Sequence, residues 1–372
     1  MSTNKPKLVL TPVGALVAQR LTQDEKILWD KIKREDLMTI REGQAKTQSS
    51  LEKTVLARLK TINLATEDGL QQASPEIKSL VKIGIAKEDQ VILYASETAE
   101  GIFSARVIRE FVKQVWLCSA AMEVITGLQV QDAGRFRSVG VLRYVQSVVQ
   151  EVNDPNNQYG RSIILNATAG FKALVPYTTL IGQLFQVPVQ YIFEMSSELL
   201  SLPPLPINFD QEFFKQVEPL LQRIEQESGI AEDDLLKGID PAVRDKLLPL
   251  LEQADGQFTF STLGFIVYER YRSPPPLMPS KRRPDEKDHT RDFSQETHRS
   301  AEFEKFKERL AHCQWVDGFW YLKGADESRR EVKKVGDELH VTCGGLELRV
   351  KVTTQHPAHY NTIKTEIEEL LK

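Results

Sequence analysis

Five short runs constrain the first half of this chain: KLVLTP (Lys7–Pro12), QVILYAS (Gln90–Ser96), AMEVITGL (Ala121–Leu128), SIILNAT (Ser162–Thr168) and PVQYIFE (Pro188–Glu194). Each is rich in β-branched residues and apolar on both faces. A strand of that kind must be covered on both sides, which is the environment of a parallel sheet between helical layers. Amphipathic stretches such as FSARVIREFVKQVW and RFRSVGVLRYVQSVVQEV lie between the runs. Strands alternating with helices of that length predict βαβ units and an α/β fold with a doubly wound parallel sheet over residues 1–205. The polar stretch from Gln23 to Asn63 interrupts the rhythm and reads as helical structure in an outer layer or at a dimer surface.

The remainder divides by composition, and 372 residues favour two or three domains. Residues 206–272 read as a small, mostly helical, winged-helix-like module. Asp210 fits an N-cap, Ser228-Gly229 a helix stop, and Asp240-Pro241 an N-cap with proline in the first turn. From Asp210 to Glu252 there are eleven carboxylates against five cations. A DNA reader needs the reverse, so DNA is not an expected partner and docking or packing is. Residues 273–300 are rich in proline and charge, and read as a disordered linker. Residues 301–372 carry a helix, four strand-like runs and a final helix, an α+β pattern. The net charge of −4 gives no global attraction to nucleic acid or to an anionic membrane. The most apolar segment, Ile163 to Phe193, is broken by Lys172, Pro176 and Pro188, so no membrane association is expected. Three widely spaced cysteines and a start that runs straight into a strand predict a cytoplasmic protein.

Ligands of open parallel sheets bind beyond the carboxyl ends of the strands, where helix N-termini point. NATAGFKA sits at such a junction. Gly170 permits a tight turn, Asn166 and Thr168 can donate hydrogen bonds, and Lys172 places a charge in the first helical turn. Two further strand ends are alike: Thr11 and Gly14 after the first, Ser96 and Thr98 after the second. These residues point to one shared anionic ligand. For any one hydroxyl the alternative is a helix cap, and for Lys172 a solvated side chain. No G-x-G-x-x-G follows the first strand, so a nicotinamide cofactor is not expected.

The motifs TPVG, SETAEG and NATAGFKALVPYTTLIGQLFQVPVQYIFE resemble the CRISPR-associated Rossmann fold, the CARF domain, over roughly the first 200 residues. That resemblance implies a Rossmann-like sheet in a homodimer that binds a cyclic oligoadenylate, most often cyclic tetra-adenylate, across its twofold axis. It makes Thr11, Gly14, Ser96, Thr98, Asn166, Thr168, Gly170 and Lys172 candidate ligand contacts, and the ring an allosteric activator with no further cofactor. Ala15 stands where the family often has a hydroxyl residue, which weighs against hydrolysis of the ring by this domain.

All six histidines fall in the last third of the chain, which invites an acid–base enzyme. Arg283 to His289 and Arg291 to His298 match the R-x4-6-H spacing of helical RNases, but both lie in the polar stretch and read as chance. After Ala301, Lys323, Arg329, Arg330, Lys333 and Lys334 surround two strands, and the period of two puts Arg349 and Lys351 on one strand face. Such cations can hold RNA phosphate, or they form an ordinary solvated face. TTQHPAHY delivers His356, His359 and Tyr360, either acid–base groups or helix-start residues. No carboxylate or histidine cluster has metal-ligand spacing.

The layout of this tail resembles RelE-like toxins. The resemblance implies a metal-independent endoribonuclease that cuts mRNA on the translating ribosome by attack of a 2′-OH on the adjacent phosphate. Arg330, Arg349 and Lys351 would clamp phosphate, and His356, His359 and Tyr360 would transfer protons. Trp315, Phe319, Trp320 and Tyr321 would stack on bases or fill the core. The expected function is a ligand-activated mRNA interferase. The alternatives are a ligand-responsive transcription regulator and a ring nuclease.

Overall fold

Along β1 (Lys7–Val13) side chains alternate between two cores: Leu8 and Leu10 enter one, Val9 and Val13 the other. This is the period of two expected of a strand covered on both faces. The computed structural model describes residues 5–129, 131–193, 198–206, 209–237, 239–254, 256–273, 277–290, 300–335, 338–354 and 357–371. β2 (Gln90–Ser96), β3 (Ser119–Ile125), β4 (Ser162–Asn166) and β5 (Val189–Ile192) continue the parallel sheet, and β6 (Leu199–Leu202) closes it antiparallel to β5. The strand order is β3-β2-β1-β4-β5-β6. The order therefore reverses between β1 and β4, the position at which an open α/β sheet leaves a crevice beyond its strand ends.

Each fully buried leucine or valine in these strands contributes about 1.5–3 kcal/mol relative to exposure. The helices that cover them are punctuated by local signals. Thr98 caps the helix Ala99–Val115 by accepting from the Gly101 N–H at 3.0 Å. Ser74 caps the helix Pro75–Ile83, with proline at its first position and left-handed Gly84 at its end. The stretch from Gln23 to Asn63 forms the helices Gln23–Ile32, Leu37–Glu42 and Gln48–Lys60. They join the outer core around Phe103 and Phe111, and Arg106 Nε donates to Glu52 Oε1 at 2.6 Å.

The caps at Asp210 and Asp240 form as expected, accepting from the backbone N–H groups of Phe213 and Ala242. They start the helices Gln211–Glu227 and Pro241–Leu247. β7 (Ile230–Ala231), β8 (Leu251–Ala254) and β9 (Gln257–Phe260) make a small sheet in the order β7-β9-β8, followed by the helix Thr262–Tyr271. This helical piece does not have a core of its own. Phe213, Val217, Leu221 and Ile266 share one apolar cluster with Leu8, Tyr94 and Val145, and Met1–Arg272 forms one compact unit.

Ser273–Lys372 forms the second unit. β10 (Val316–Gly324), β11 (Glu331–Val335), β12 (Glu338–Cys343) and β13 (Leu346–Val352) form an antiparallel sheet in the order β10-β13-β12-β11. The helices Ala301–His312 and Pro357–Leu370 supply Phe303, Phe306, Leu310, Ile363 and Ile367 to the core, against Phe319, Val341, Leu348 and Val350.

The stretch 273–300, expected as a disordered linker, is corrected in part. Pro284–Lys287 is a helical turn, and Lys287 is 3% exposed with its ammonium donating to the Cys313 carbonyl at 2.9 Å. Asp288 pairs with Lys307 at 3.3 Å and forms a parallel bridge to Phe319 on β10. Composition hid this because polar side chains do the anchoring: their hydrogen bonds replace an apolar face.

Candidate functional site

The crevice between β1 and β4 holds a cavity of about 650 Å³, within the range of small-molecule sites. The turn after β1 contributes Gly14 to Leu16, and the turn after β4 contributes Ala167 to Gly170. The two turns approach closely: a Cβ on Gly14 would lie 3.5 Å from the Gly170 amide nitrogen. Gly170 has φ +82°, and a Cβ there would lie 2.7 Å from Pro12 Cβ, so only glycine fits. Lys172, exposed in the turn Lys172–Leu174, lines the same cavity. Two helices present their first residues to it, Pro75 and Val175, and helix N-termini favour anions.

Of the eight expected ligand residues, four line this cavity: Gly14, Thr168, Gly170 and Lys172. Thr168 also ties β5 to the turn by accepting from the Ile192 N–H at 3.0 Å. Thr11 and Asn166 do not line it. Both are 0% exposed, and Asn166 Nδ2 donates to Thr11 Oγ1 at 3.0 Å and to Ser79 Oγ at 2.8 Å. They form a buried polar brace beneath the turns. Ser96 and Thr98 lie at the end of β2, hydrogen-bonded to one another at 2.8 Å, and Thr98 is occupied as a helix cap. For Thr98 the capping alternative describes the geometry, because its hydroxyl accepts from an N–H of its own helix, and Ser96 is held by Thr98.

Several lining residues were not singled out from the sequence. Arg20 and Lys78 join Lys172 as cations at the cavity, and Tyr191 and Phe193 bring aromatic surface. Arg20 donates to the carbonyls of Gln71, Gln72 and Ala73. Glu76 is 1% exposed; one carboxyl oxygen accepts from the Gly14 N–H at 2.8 Å, and the other is buried with no partner among the described residues. Burial pushes this carboxyl above its ordinary value. Arg20, Lys78 and Lys172 together outnumber this one carboxyl at the cavity. The signal for Glu76 was present only as S-P-E at a helix start, which reads as ordinary capping.

On the second unit, Arg349 and Lys351 do share the exposed face of β13. Arg349 Nε lies 3.4 Å from Glu338 Oε2, and its guanidinium lies 5.0 Å from the centre of the Trp320 ring. Arg330 is engaged elsewhere, with Nε donating to Glu302 at 2.7 Å. His359 lies in the helix Pro357–Leu370, His356 lies outside the described residues, and of Tyr360 only the backbone is described. Trp320 faces the same side as Arg349, whereas Phe319 is core. His289 stacks flat on Trp320, centroids 4.7 Å apart and planes at 7°. Arg283 pairs with Glu286, not with His289, which agrees with reading that spacing as chance. His340 stands opposite Arg349 in the sheet register and was not singled out. Among the described residues no His, Cys, Asp and Glu group is arranged to hold a metal ion, and no helix is long and apolar enough to cross a membrane.

Residues 71–205 match a family model described as CRISPR-associated protein (Cas_APE2256). The match covers the part of the chain that carries β2 to β6. No curated protein matches the chain. Among solved structures, Can2 from Sulfobacillus thermosulfidooxidans in complex with cyclic tetra-adenylate is 13% identical, covering 98% of this chain and 86% of that one, with a TM-score of 0.27. That score lies below the level of a shared overall fold.

Proposed function

We propose that this chain is a cyclic-oligoadenylate-activated endoribonuclease of type III CRISPR antiviral defence. The observation that carries the reading is the cavity at the strand-order reversal, lined by Arg20, Lys78 and Lys172, next to a segment that matches a CRISPR-associated family. The ligand is a cyclic oligoadenylate, with cyclic tetra-adenylate as the first choice. Its phosphates are held by the three cations and the helix N-termini, and its bases by Tyr191 and Phe193. A homodimer suits a ring with twofold symmetry, because each protomer presents the same cavity to one half of it.

The second unit acts as the effector, a RelE-like, metal-independent nuclease that cleaves mRNA on the ribosome. Arg349 and Lys351 hold the scissile phosphate on the open sheet face, and stabilising the charge that grows there supplies much of the rate. His356, His359 and Tyr360 are the acid–base candidates that the sequence offers beside them. Arg330 plays a supporting role at most, given its pairing with Glu302.

The test is translation and mRNA integrity in a bacterial cell-free system with the full chain, with and without cyclic tetra-adenylate. Cuts that are phased to codons and depend on the ring are the expected result. Intact mRNA in the presence of tightly bound ring would remove the effector reading and leave the ligand reading standing.

A further inference from the structure

Sheet register places four side chains in one row across the second unit. Trp320 on β10 stands opposite Arg349 on β13, Arg349 opposite His340 on β12, and His340 opposite Lys333 on β11. Residues directly opposite in an antiparallel sheet project from the same face, with Cβ atoms about 4.5–5.5 Å apart. The row therefore sets a histidine beside the arginine expected to hold phosphate. His340 is also oriented: its Nδ1 lies 3.0 Å from Glu347 Oε1, and Lys323 pairs with Glu347 at 3.4 Å. Desolvation pushes the Glu347 carboxyl up, but the His340 hydrogen bond and the Lys323 charge outweigh it and hold it below its ordinary value. A carboxylate at Nδ1 requires the proton there, which leaves Nε2 as an acceptor with no partner among the described residues.

We propose that His340 is the proton-transfer residue of the ribonuclease face and Glu347 its positioning residue. The inference rests on the ribonuclease reading above. A phosphate held by Arg349 lies within reach of His340. Nε2 takes the proton of the ribose 2′-OH as O2′ bonds to phosphorus and the P–O5′ bond breaks. The O5′ leaving oxygen takes a proton from water, and His340 returns its own to solvent. The products are a 2′,3′-cyclic phosphate and a 5′-OH end. Two other described histidines are placed less well. His312 is held by the Glu308 carbonyl on its helix, and the His289 Nε2 is buried under the stack with Trp320. The charged groups around His340 are Glu347 and Arg349 on β13, Lys333 on β11 and Glu338 on its own strand.

The experiment uses the full chain with cyclic tetra-adenylate and a message that the wild type cleaves. His340→Gln lowers kcat by about 10²–10⁴-fold with little change in KM and removes the acidic limb of the pH–rate profile. Glu347→Gln lowers kcat less than His340→Gln does and leaves KM unchanged, since the imidazole loses the carboxylate that orients it. Added imidazole restores part of the activity of His340→Ala, which separates chemistry from folding. Wild-type rates in His340→Gln overturn the assignment and leave the ribonuclease reading intact. Equal loss of RNA binding and rate in His340→Gln, without imidazole rescue of His340→Ala, makes the residue structural and also overturns it. A wild type that leaves RNA intact with the ring bound removes both.

Discussion

The Glu76 carboxyl holds the Gly14 N–H at 2.8 Å, tying the turn after β1 to a helix 62 residues away in the chain. This one contact joins two elements that line the cavity, the turn after β1 and the helix Pro75–Ile83. A ligand that shifts Gly14 must break or rebuild it.

That contact has a pH signature. Burial raises the folded-state value of Glu76 above the ordinary 4.5, so the folded chain binds this proton more tightly. Its contribution to stability is complete below pH 4.5 and is lost as pH rises through the raised value. Glu76→Gln removes that dependence. In thermal melts across pH, the variant gains on the wild type as pH rises; parallel curves would rule the buried carboxyl out as a stability determinant.

Lys172→Ala leaves the fold intact because the side chain is exposed, yet weakens binding of cyclic tetra-adenylate by roughly tenfold or more, as expected for one charge-assisted contact of about 1.5–3 kcal/mol. Phe193→Ala costs about 1–3 kcal/mol of ligand affinity through lost base stacking. Calorimetric titration measures both. Unchanged affinity in both variants would displace the ligand from this cavity.

Thr11→Val and Asn166→Ala behave oppositely. Each breaks the buried brace and lowers the unfolding free energy by about 1–3 kcal/mol, the cost of an unsatisfied buried polar group. Ligand affinity falls less than in Lys172→Ala. Urea denaturation beside titration separates the two, and a stable Thr11→Val with lost binding would make Thr11 a direct contact.

Glu338→Gln releases Arg349 from its carboxylate partner. An exposed pair of this kind is worth about 0.2–1 kcal/mol, so RNA affinity rises by roughly 1.5–5-fold at low salt. Fluorescence anisotropy with a short RNA reads this directly. No gain at any ionic strength would mean that Arg349 does not meet phosphate.

His289→Ala removes the flat stack on Trp320, worth about 0.5–1.5 kcal/mol. The expected result is a lower melting temperature for the second unit and altered tryptophan emission. An unchanged spectrum would place His289 away from Trp320 in solution.

What the sequence determined by itself is local. Continuous apolar runs in KLVLTP and QVILYAS specify strands buried on both faces, and Asp210, Asp240 and Thr98 specify helix starts, because caps and runs act over a few residues. Gly170 was legible for the same reason: a positive φ is demanded by its own turn.

Only the tertiary structure decided which side chains meet. Thr11 and Asn166, 155 residues apart, satisfy one another beneath the cavity, and Glu76, Arg20 and Lys78 reach its wall from segments with no motif of their own. His340 meets Arg349 only through the pairing of β12 with β13. Register is set by which faces become buried, and a slip of one residue would turn every side chain of a strand to the other side. That choice is made by the whole core at once, and no single stretch of sequence contains it.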